Sequence, residues 1–304
     1  MNRRKFGELA AAVTLGQFLL PRKARTAVPS TAGSKLSVML WTLEKVMPFD
    51  RSIEVVAAAG YQGVELVGEF KKWSDEDTRR ILKRMGQLGL VFDSMSGVDA
   101  GFCNPNESDA FMTQLSAQLH AARELNCPQI ILLSGKRVEG LDPNVQYRTS
   151  IENLKRAAEV ASKNNIRIVI EPIDPLENPT IYLTTVTTGF QMVREIDSEN
   201  VKVLYDFYHE QRGFGNLIEK LTNHVDQVGL VHIADVPGRH EPGTGEVNYA
   251  NVYRKLAELR YNRFIAMEFY PTGNAVDSLK NARIEVAQAM QGGCLDLIPK
   301  NSIS

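Results

Sequence analysis

The sequence predicts a single (β/α)8 barrel, an α/β fold class, and three observations support it. Eight apolar, β-rich runs alternate with eight segments that have helical spacing. Most of the strand runs are apolar at consecutive positions, which is typical of parallel strands buried beneath helices. No G-x-G-x-x-G motif follows the first run, which weakens the alternative of an open, doubly wound sheet. A closed barrel of about 250 residues is the simplest architecture for eight such units.

Each predicted unit begins with a strand and continues into a helix. The strand runs are residues 36–42, 63–67, 90–97, 129–135, 167–173, 201–208, 227–235 and 263–270. The helical segments are residues 50–60, 75–88, 108–126, 144–164, 185–196, 215–224, 249–260 and 275–291. In one of these segments Ile151, Leu154, Ala158 and Ala161 recur at steps of three and four residues, which is the period of one helix face.

The chain is expected to hold one folded domain. No linker or low-complexity segment interrupts the eight units, and Gly89, Asn126 and Asn165 stand where helices should end, as C-terminal cap residues do. We therefore assign residues 36–295 to the barrel and residues 296–304 to a C-terminal tail.

The first 35 residues have the pattern of an export signal. Arg3 and Arg4 precede an apolar run at residues 9–20, which is about as long as the core of a signal peptide and too short to span a membrane. The paired arginines resemble a bacterial twin-arginine signal, and small residues at 30–32 offer a cleavage site. The alternative is an amphipathic helix packed on the barrel. We expect residues 1–35 to be a signal peptide and linker, which would place the protein in the periplasm with no membrane span after signal removal.

The composition favours a small molecule as the partner. Lys and Arg number 35 and Asp and Glu number 36, so the net charge is −1. Nucleic acid is not an expected partner because the basic excess that neutralises phosphates is missing. The three cysteines include no C-x-x-C pair and indicate neither a disulfide framework nor a zinc cluster. Association into a homo-oligomer stays open.

Four polar residues interrupt apolar runs on four successive strands. Glu171, Asp206, His232 and Glu268 each lie near the C-terminal end of a predicted strand. Strand ends of a barrel converge on its axis, and the chemistry of this fold is found there. Carboxylates among apolar side chains are costly unless they are paired or bind a cation, and neighbouring carboxylates also repel. The pattern predicts one divalent metal ion, with Mn²⁺ or Mg²⁺ favoured by the oxygen-rich donors and Co²⁺ or Zn²⁺ as alternatives.

Four further residues are expected to contact a substrate at the same mouth of the barrel. Glu65 closes the second strand run, and His209 follows the sixth. Arg239 and His240 lie in the loop after the seventh strand, where a guanidinium could pair with a carboxylate or phosphate group of the substrate. The alternative for this loop is that salt bridges within the protein anchor it.

Several motifs carry a resemblance to a known family. They are VLYDFYHEQR, HIADVPGRHEPGTGEVNY, FIAMEFYP, GYQGVEL and IEP. With them the chain resembles the hydroxypyruvate isomerase family over most of residues 36–292. That family belongs to the xylose-isomerase-like barrels of the sugar isomerase and epimerase superfamily, which also include ketose 3-epimerases and endonuclease IV.

The resemblance implies roles for the residues already singled out. One divalent metal would be held by the four strand-end side chains, Glu171 and Glu268 would also act as acid and base, and His209 and Arg239 would hold the substrate. Relatives closest to hydroxypyruvate isomerase often carry glutamine where this chain has His232, whereas the epimerases carry histidine. The resemblance therefore leaves the substrate open.

The expected activity is that of an intramolecular oxidoreductase of the aldose–ketose isomerase type. It would convert hydroxypyruvate to 2-hydroxy-3-oxopropanoate through an enediolate, with the two glutamates moving the proton between adjacent carbons. A ketose 3-epimerase would use the same residues, and a non-catalytic, exported sugar-binding barrel is a third reading. A nuclease of the endonuclease IV type is disfavoured because it needs a three-metal cluster, whereas this chain has five histidines.

Overall fold

The computed structural model describes residues 35–295, which form a closed barrel of eight parallel strands. Each strand pairs with the next in the chain, and the last pairs with the first. The strands are β1 (Lys35–Met39), β2 (Gly63–Val67), β3 (Val91–Ser96), β4 (Gln129–Leu133), β5 (Arg167–Glu171), β6 (Val201–Asp206), β7 (Val228–Ile233) and β8 (Phe264–Met267). The predicted (β/α)8 barrel in one domain is confirmed.

Helices follow every strand and surround the barrel. They are α1 (Trp41–Glu44), α2 (Phe49–Ala59), α3 (Asp75–Leu88), α4 (Ser108–Glu124), α5 (Pro143–Lys163), α6 (Val186–Ile196), α7 (Phe207–Gly213), α8 (Leu217–His224), α9 (Tyr249–Glu258) and α10 (Ala275–Leu295). None of the helices in this part of the chain is long and apolar enough to cross a membrane.

The two ends of the chain lie outside the described residues. The predicted signal peptide and linker at residues 1–35 fall there except for Lys35, which begins β1. The predicted tail at residues 296–304 falls there as well. Export and cleavage therefore stay predictions.

Two short helices, α1 and α7, differ from the predicted pattern. The apolar residues that follow β1 and β6 extend the predicted strands to residues 42 and 208, so the first two residues of each short helix are predicted as strand. In the structure β6 ends at Asp206, whose side chain accepts the backbone N–H of Tyr208 and His209 and so caps α7. A polar cap overrides the apolar pattern at this point.

The ends of the helices carry the expected cap residues. Ser74 and Asp77 form a reciprocal capping box at the start of α3. Gly89, Asn126 and Asn165 have φ angles of 70°, 54° and 55°, so each leaves its helix in the left-handed conformation. These turns direct the chain from each helix back into the next strand.

The hydrophobic core has two layers, one outside and one inside the barrel. The outer layer lies between the strands and the helices and holds most of the buried apolar side chains. The inner layer fills the barrel and consists of Met39, Ile131, Val169, Leu204, Leu230 and Ala266. Because the barrel is packed rather than hollow, a ligand can enter only at its mouths.

Candidate active site

Four buried polar side chains meet at the C-terminal mouth of the barrel. Glu171 and Asp206 are the last residues of β5 and β6, His232 is the penultimate residue of β7, and Glu268 directly follows β8. One nitrogen or oxygen atom from each lies within 4.8 Å of the corresponding atoms of the others. The structure thus brings together the four residues that the sequence selected, at the end of the barrel where the strand-end rule places them.

The two glutamates in this group have different surroundings. Glu268 Oε1 accepts a hydrogen bond from Trp41 Nε1 at 2.8 Å, and its Oε2 lies 2.6 Å from Arg239 Nη2. The carboxylate of Glu171 accepts no hydrogen bond from the side chains or backbone that the structure describes. Glu171 is therefore the carboxylate whose oxygens are free to meet a ligand.

These surroundings separate the pKa values of the two groups. Burial and the neighbouring charge of Glu268 raise the pKa of Glu171 to about 7. Burial alone would also raise the pKa of Glu268, but Arg239 and His232 outweigh it and hold that pKa well below its usual range. A pair of carboxyl groups with separated pKa values is suited to acid–base work, because one can exchange a proton near neutral pH while the other stays ionised.

His232 lies between two carboxylates that fix its ring. Nδ1 is 2.6 Å from Glu268 Oε2 at the mouth, and Nε2 is 2.9 Å from Glu65 Oε2 deeper in the barrel. Burial alone would lower the pKa of His232, but Glu65 and Glu268 raise it well above its usual range. The imidazole therefore presents Nδ1 to the cluster and Nε2 to the barrel interior.

His209 and Arg239 form the polar wall beside the cluster. His209 Nδ1 lies 2.8 Å from Asp174 Oδ2, and its Nε2 lies 3.3 Å from Arg239 Nη1. Burial alone would lower the pKa of His209, but Asp206 and the hydrogen bond to Asp174 raise it. The guanidinium of Arg239 also stacks 4.8 Å from the ring centroid of Tyr208. Both side chains are held by partners on the protein and reach the mouth as expected.

The donor set of the cluster fits a divalent metal ion. Three carboxylates and one imidazole supply hard oxygen ligands and one nitrogen, as Mn²⁺ and Mg²⁺ prefer, with Co²⁺ and Zn²⁺ also compatible. Three buried carboxylates this close repel one another, and a cation would offset both that repulsion and the cost of burial. The oxygens of Glu171, which lack a hydrogen-bond donor among the described residues, are where such an ion would be least hindered.

A cavity of about 180 Å³ opens above the cluster. Its polar lining comes from Trp41, Ser96, Glu171, Glu177, His209, Arg239 and Glu268. Its apolar lining comes from Met39, Val67, Ile131, Leu133 and Ile173. A small cavity with charged groups on one side and an apolar wall on the other suits a short, polar molecule.

Two of the residues expected to bind substrate are placed elsewhere. Glu65 is fully buried, does not line the cavity and faces His232 instead, because β2 directs its side chain into the barrel. His240 also does not line the cavity, since its Nδ1 lies 2.9 Å from the carbonyl oxygen of Tyr270. In this structure Glu65 can affect a ligand only through His232, and His240 serves the loop that carries Arg239.

Three residues at the mouth were missed by the sequence reasoning. Trp41 follows β1 and binds Glu268, whereas Asp174 and Glu177 follow β5 and line or support the cavity. Applying the strand-end rule to β1 and to the IEPIDPLE stretch at residues 170–177 would have found all three. Asp174, Glu177 and His209 also meet within 4.8 Å, but Arg212 and Arg239 pair with the two carboxylates, so positive charge is already present there.

The loop after β7 is organised around one buried carboxylate. Asp235 is fully buried, and its two oxygens accept four backbone N–H groups at 2.9–3.0 Å. The donors are Val236, Gly243, Gly245 and Val247. A Cβ at Gly245 would lie 2.1 Å from the carbonyl oxygen of Val236, so only glycine fits there. The loop is thus anchored from within by backbone hydrogen bonds to Asp235.

Replacing Asp235 with alanine is expected to destabilise the protein and displace Arg239. Four backbone donors would lose a charged acceptor, and we expect the free energy of unfolding to fall by about 3 kcal/mol. Urea denaturation measures the loss. Asp99→Ala is the matched control, because Asp99 forms an exposed ion pair with Lys71 and its loss should cost under about 0.5 kcal/mol. Equal stability of the two variants would show that the loop does not depend on Asp235.

Comparison with known proteins adds a family to this geometry. The profile of the family described as "Xylose isomerase-like TIM barrel" matches residues 53–288. Hydroxypyruvate isomerase of Escherichia coli is 31% identical over 224 residues, which are 72% of this chain and 86% of that protein. A 2-oxo-tetronate isomerase of Pectobacterium atrosepticum is 27% identical over 250 residues, which are 81% of this chain and 95% of that protein.

A solved structure agrees with the fold over the same region. The crystal structure named as an AP endonuclease, family 2, from Brucella melitensis superimposes with a TM-score of 0.74 at 26% identity. It covers 81% of this chain and 96% of that chain. The curated relatives are isomerases, and together with the barrel they support an isomerase as the broad class of this protein.

Proposed function

This chain belongs to the xylose isomerase-like TIM barrel family, and from that premise we propose that it is a metal-dependent isomerase of a short 2-oxo acid. The leading substrate is hydroxypyruvate, which would be converted to 2-hydroxy-3-oxopropanoate. The second candidate substrate is a 2-oxo acid with four carbons. Two curated relatives are named for these two substrate types.

The observation that carries the proposal is the difference between Glu171 and Glu268 around one cavity. Glu171 has free oxygens and a pKa of about 7, whereas Glu268 is fixed by Trp41, Arg239 and His232 and has a lowered pKa. A base that must lose and regain a proton works best when its pKa lies near the ambient pH. Burial and Glu268 move the pKa of Glu171 towards that condition, and its oxygens accept no hydrogen bond from the described residues that would hinder proton exchange.

The metal would be held by Glu171, Asp206, His232 and Glu268. When bound, a divalent ion would polarise the carbonyl group of the substrate and stabilise the negative charge that develops on its oxygens. The backbone holds all four side chains in place, because Glu171 and Asp206 end strands, His232 lies within β7, and Glu268 directly follows β8.

The side chains of this chain then account for the proton transfer. Glu171 takes a proton from the hydroxyl-bearing carbon C3, which yields an enediolate, and the proton is delivered to the former carbonyl carbon C2. Transfer of the hydroxyl proton from the C3 oxygen to the C2 oxygen balances the reaction. Arg239 and His209 face the substrate position and orient its oxygens, Glu171 returns the proton to carbon, and the ionised Glu268 holds His232 and Arg239 in place. Return of the proton to its original carbon on the opposite face would be epimerisation.

The size and lining of the cavity favour a substrate of three or four carbons. A volume of about 180 Å³ is small for a ligand site, and one wall is formed by apolar side chains such as Ile131 and Leu133. The outer hydroxyl groups of a six-carbon ketose would face this wall without hydrogen-bond partners. Each unsatisfied hydroxyl would cost about 1–3 kcal/mol.

A substrate panel tests this proposal. We expect kcat/KM for hydroxypyruvate to exceed that for a ketohexose by at least about 100-fold, which corresponds to about 3 kcal/mol from one or two stranded hydroxyl groups. The measurement is the initial rate with hydroxypyruvate, a 2-oxo-tetronate and D-fructose, each with Mn²⁺ present. A preference for the ketohexose would contradict the assignment and favour a ketose 3-epimerase. His232 supports that alternative, because the epimerases carry histidine at this position.

Export to the periplasm is part of the proposal. It rests on the paired Arg3 and Arg4 and the apolar run that follows them. Fractionation of cells that produce the full chain tests it, and a protein found only in the cytoplasm would contradict it.

A further inference from the structure

A line of polar side chains crosses the otherwise apolar interior of the barrel. Ser37 on β1 donates a hydrogen bond to Asp93 Oδ2 on β3 at 2.9 Å. Asp93 neighbours Glu65 on β2, and Glu65 Oε2 lies 2.9 Å from His232 Nε2 on β7. All four residues are at most 2% exposed. These residues run from the interior of the barrel to Nε2 of His232.

The backbone around this line is shaped to admit it. The pairing of β2 with β3 shifts register between Val64 and Glu65, so Asp93 has no partner on β2. Such bulges re-aim side chains, and they are common beside active sites. Gly63 provides space, because a Cβ there would lie 2.8 Å from Asp93 Oδ1. A residue with a side chain at position 63 would displace the carboxyl group.

Glu65 and Asp93 are neighbouring buried carboxyl groups within this line. Burial and the neighbouring Glu65 raise the pKa of Asp93 well above its usual range, which favours the neutral form of Asp93 beside Glu65. Glu65 thereby has one side supported by Asp93 while its other side faces the ring of His232. The contact with Asp93 restrains the side chain of Glu65 beside the ring of His232.

Stability does not explain why a carboxylate occupies this place. Burying a carboxyl group in the barrel is expensive, and apolar side chains of similar size would often stabilise the fold better. Glu65 does not line the cavity, so it cannot contact the substrate. Its link to the mouth of the barrel is the contact with His232 Nε2.

We propose that Glu65, supported by Asp93, is a positioning residue that holds His232 with Nδ1 directed at the metal. The inference rests on the metal site of the proposed function. A histidine that binds a metal through one nitrogen commonly gives its other N–H to a carboxylate, and loss of that partner typically weakens metal binding by about 10–100-fold. Glu65 acts on the metal through His232 and is not itself a ligand.

Metal affinity in three variants tests the inference. Titration calorimetry with Mn²⁺ is expected to give a Kd for Glu65→Leu that is about 10–100-fold weaker than for the unchanged protein. Glu65→Gln keeps an oxygen that can accept the N–H of His232, so its Kd should stay within about threefold of the unchanged protein. Glu159→Gln is the control, because Glu159 is exposed on α5. Circular dichroism confirms that each variant is folded.

A spectroscopic readout separates positioning from general damage. Long-range ¹H–¹⁵N spectra of the Zn²⁺ form should show His232 protonated at Nε2 in the unchanged protein and in Glu65→Gln, and the pattern should be lost in Glu65→Leu. Equal affinity and an unchanged histidine pattern in folded Glu65→Leu would overturn the inference. Failure of Glu65→Gln to restore affinity would overturn it too. Absence of Mn²⁺ binding by the unchanged protein would instead refute the metal in the proposed function.

Discussion

Glu171→Gln is expected to abolish turnover while the barrel stays folded. Glutamine keeps the shape of the side chain but cannot take up a proton, and loss of a positioned base costs up to about 10⁴-fold in kcat. The side chain of Glu171 makes no hydrogen bond within the described residues, so its replacement should hardly change the free energy of unfolding. Steady-state rates with hydroxypyruvate and thermal unfolding of the same sample measure both effects.

Two companion variants frame this result. Glu268→Gln should abolish turnover as well, but it should also reduce stability because Trp41, His232 and Arg239 lose a charged partner. Glu159→Gln, on the exposed face of α5, is the control and should leave both rate and stability unchanged. Normal rates in Glu171→Gln would remove the proposed mechanism.

Removal of divalent metal is expected to have the second largest effect. After dialysis against a chelator the protein should fall to roughly 1% of its activity or less, since the substrate carbonyl would lose its polarising ion. Addition of Mn²⁺ should restore the rate. Mn²⁺ that binds only the folded protein should also stabilise it, by about 2.7 kcal/mol when the free metal is at 100 times its Kd. The melting temperature should rise accordingly.

Two controls make the metal experiment specific. Metal content is measured on the dialysed sample, so that retained ion is not mistaken for an independent activity. Asp206→Asn should bind Mn²⁺ more weakly than the unchanged protein yet keep a cap for α7, because asparagine also accepts backbone N–H groups. Full activity in a sample with no measurable metal would refute the metal dependence.

The order of elements in this fold could be predicted because hydrophobic periodicity dominates it. Parallel strands buried on both faces appear as continuous apolar runs, and the amphipathic segments between them appear at helical spacing. The predicted boundaries were less accurate where a local polar contact ends a strand. At Asp206 the strand ends because this side chain caps α7, although the apolar residues continue beyond it. A cap depends on side-chain geometry that apolar spacing does not encode.

The strand-end cluster was also accessible from the sequence, because Glu171, Asp206, His232 and Glu268 each stand out against apolar neighbours. The direction of Glu65 was not. The other residues of β2 are glycine or apolar, so the sequence does not show which face of the strand Glu65 occupies. Only the register of β2 with its neighbours places Glu65 behind His232.

The loop residues illustrate a second limit of the sequence. His240 and Arg239 are adjacent, yet one binds the carbonyl of Tyr270 and the other faces the cavity. Asp235 arranges that loop through four backbone hydrogen bonds that span twelve positions. Such contacts depend on the folded path of the backbone. Residue type alone could therefore not show which residue holds the loop in place and which one faces the cavity.

Hydrogen exchange into substrate tests the central claim most directly. The Mn²⁺-loaded protein would be incubated with hydroxypyruvate in D₂O and followed by NMR. We expect 2-hydroxy-3-oxopropanoate to accumulate and deuterium to enter at carbon, with neither occurring in Glu171→Gln. Conversion without any exchange in the unchanged protein would indicate transfer without release of the proton to solvent. No conversion of hydroxypyruvate or of a four-carbon 2-oxo acid, by protein with its metal bound, would contradict the isomerase proposal.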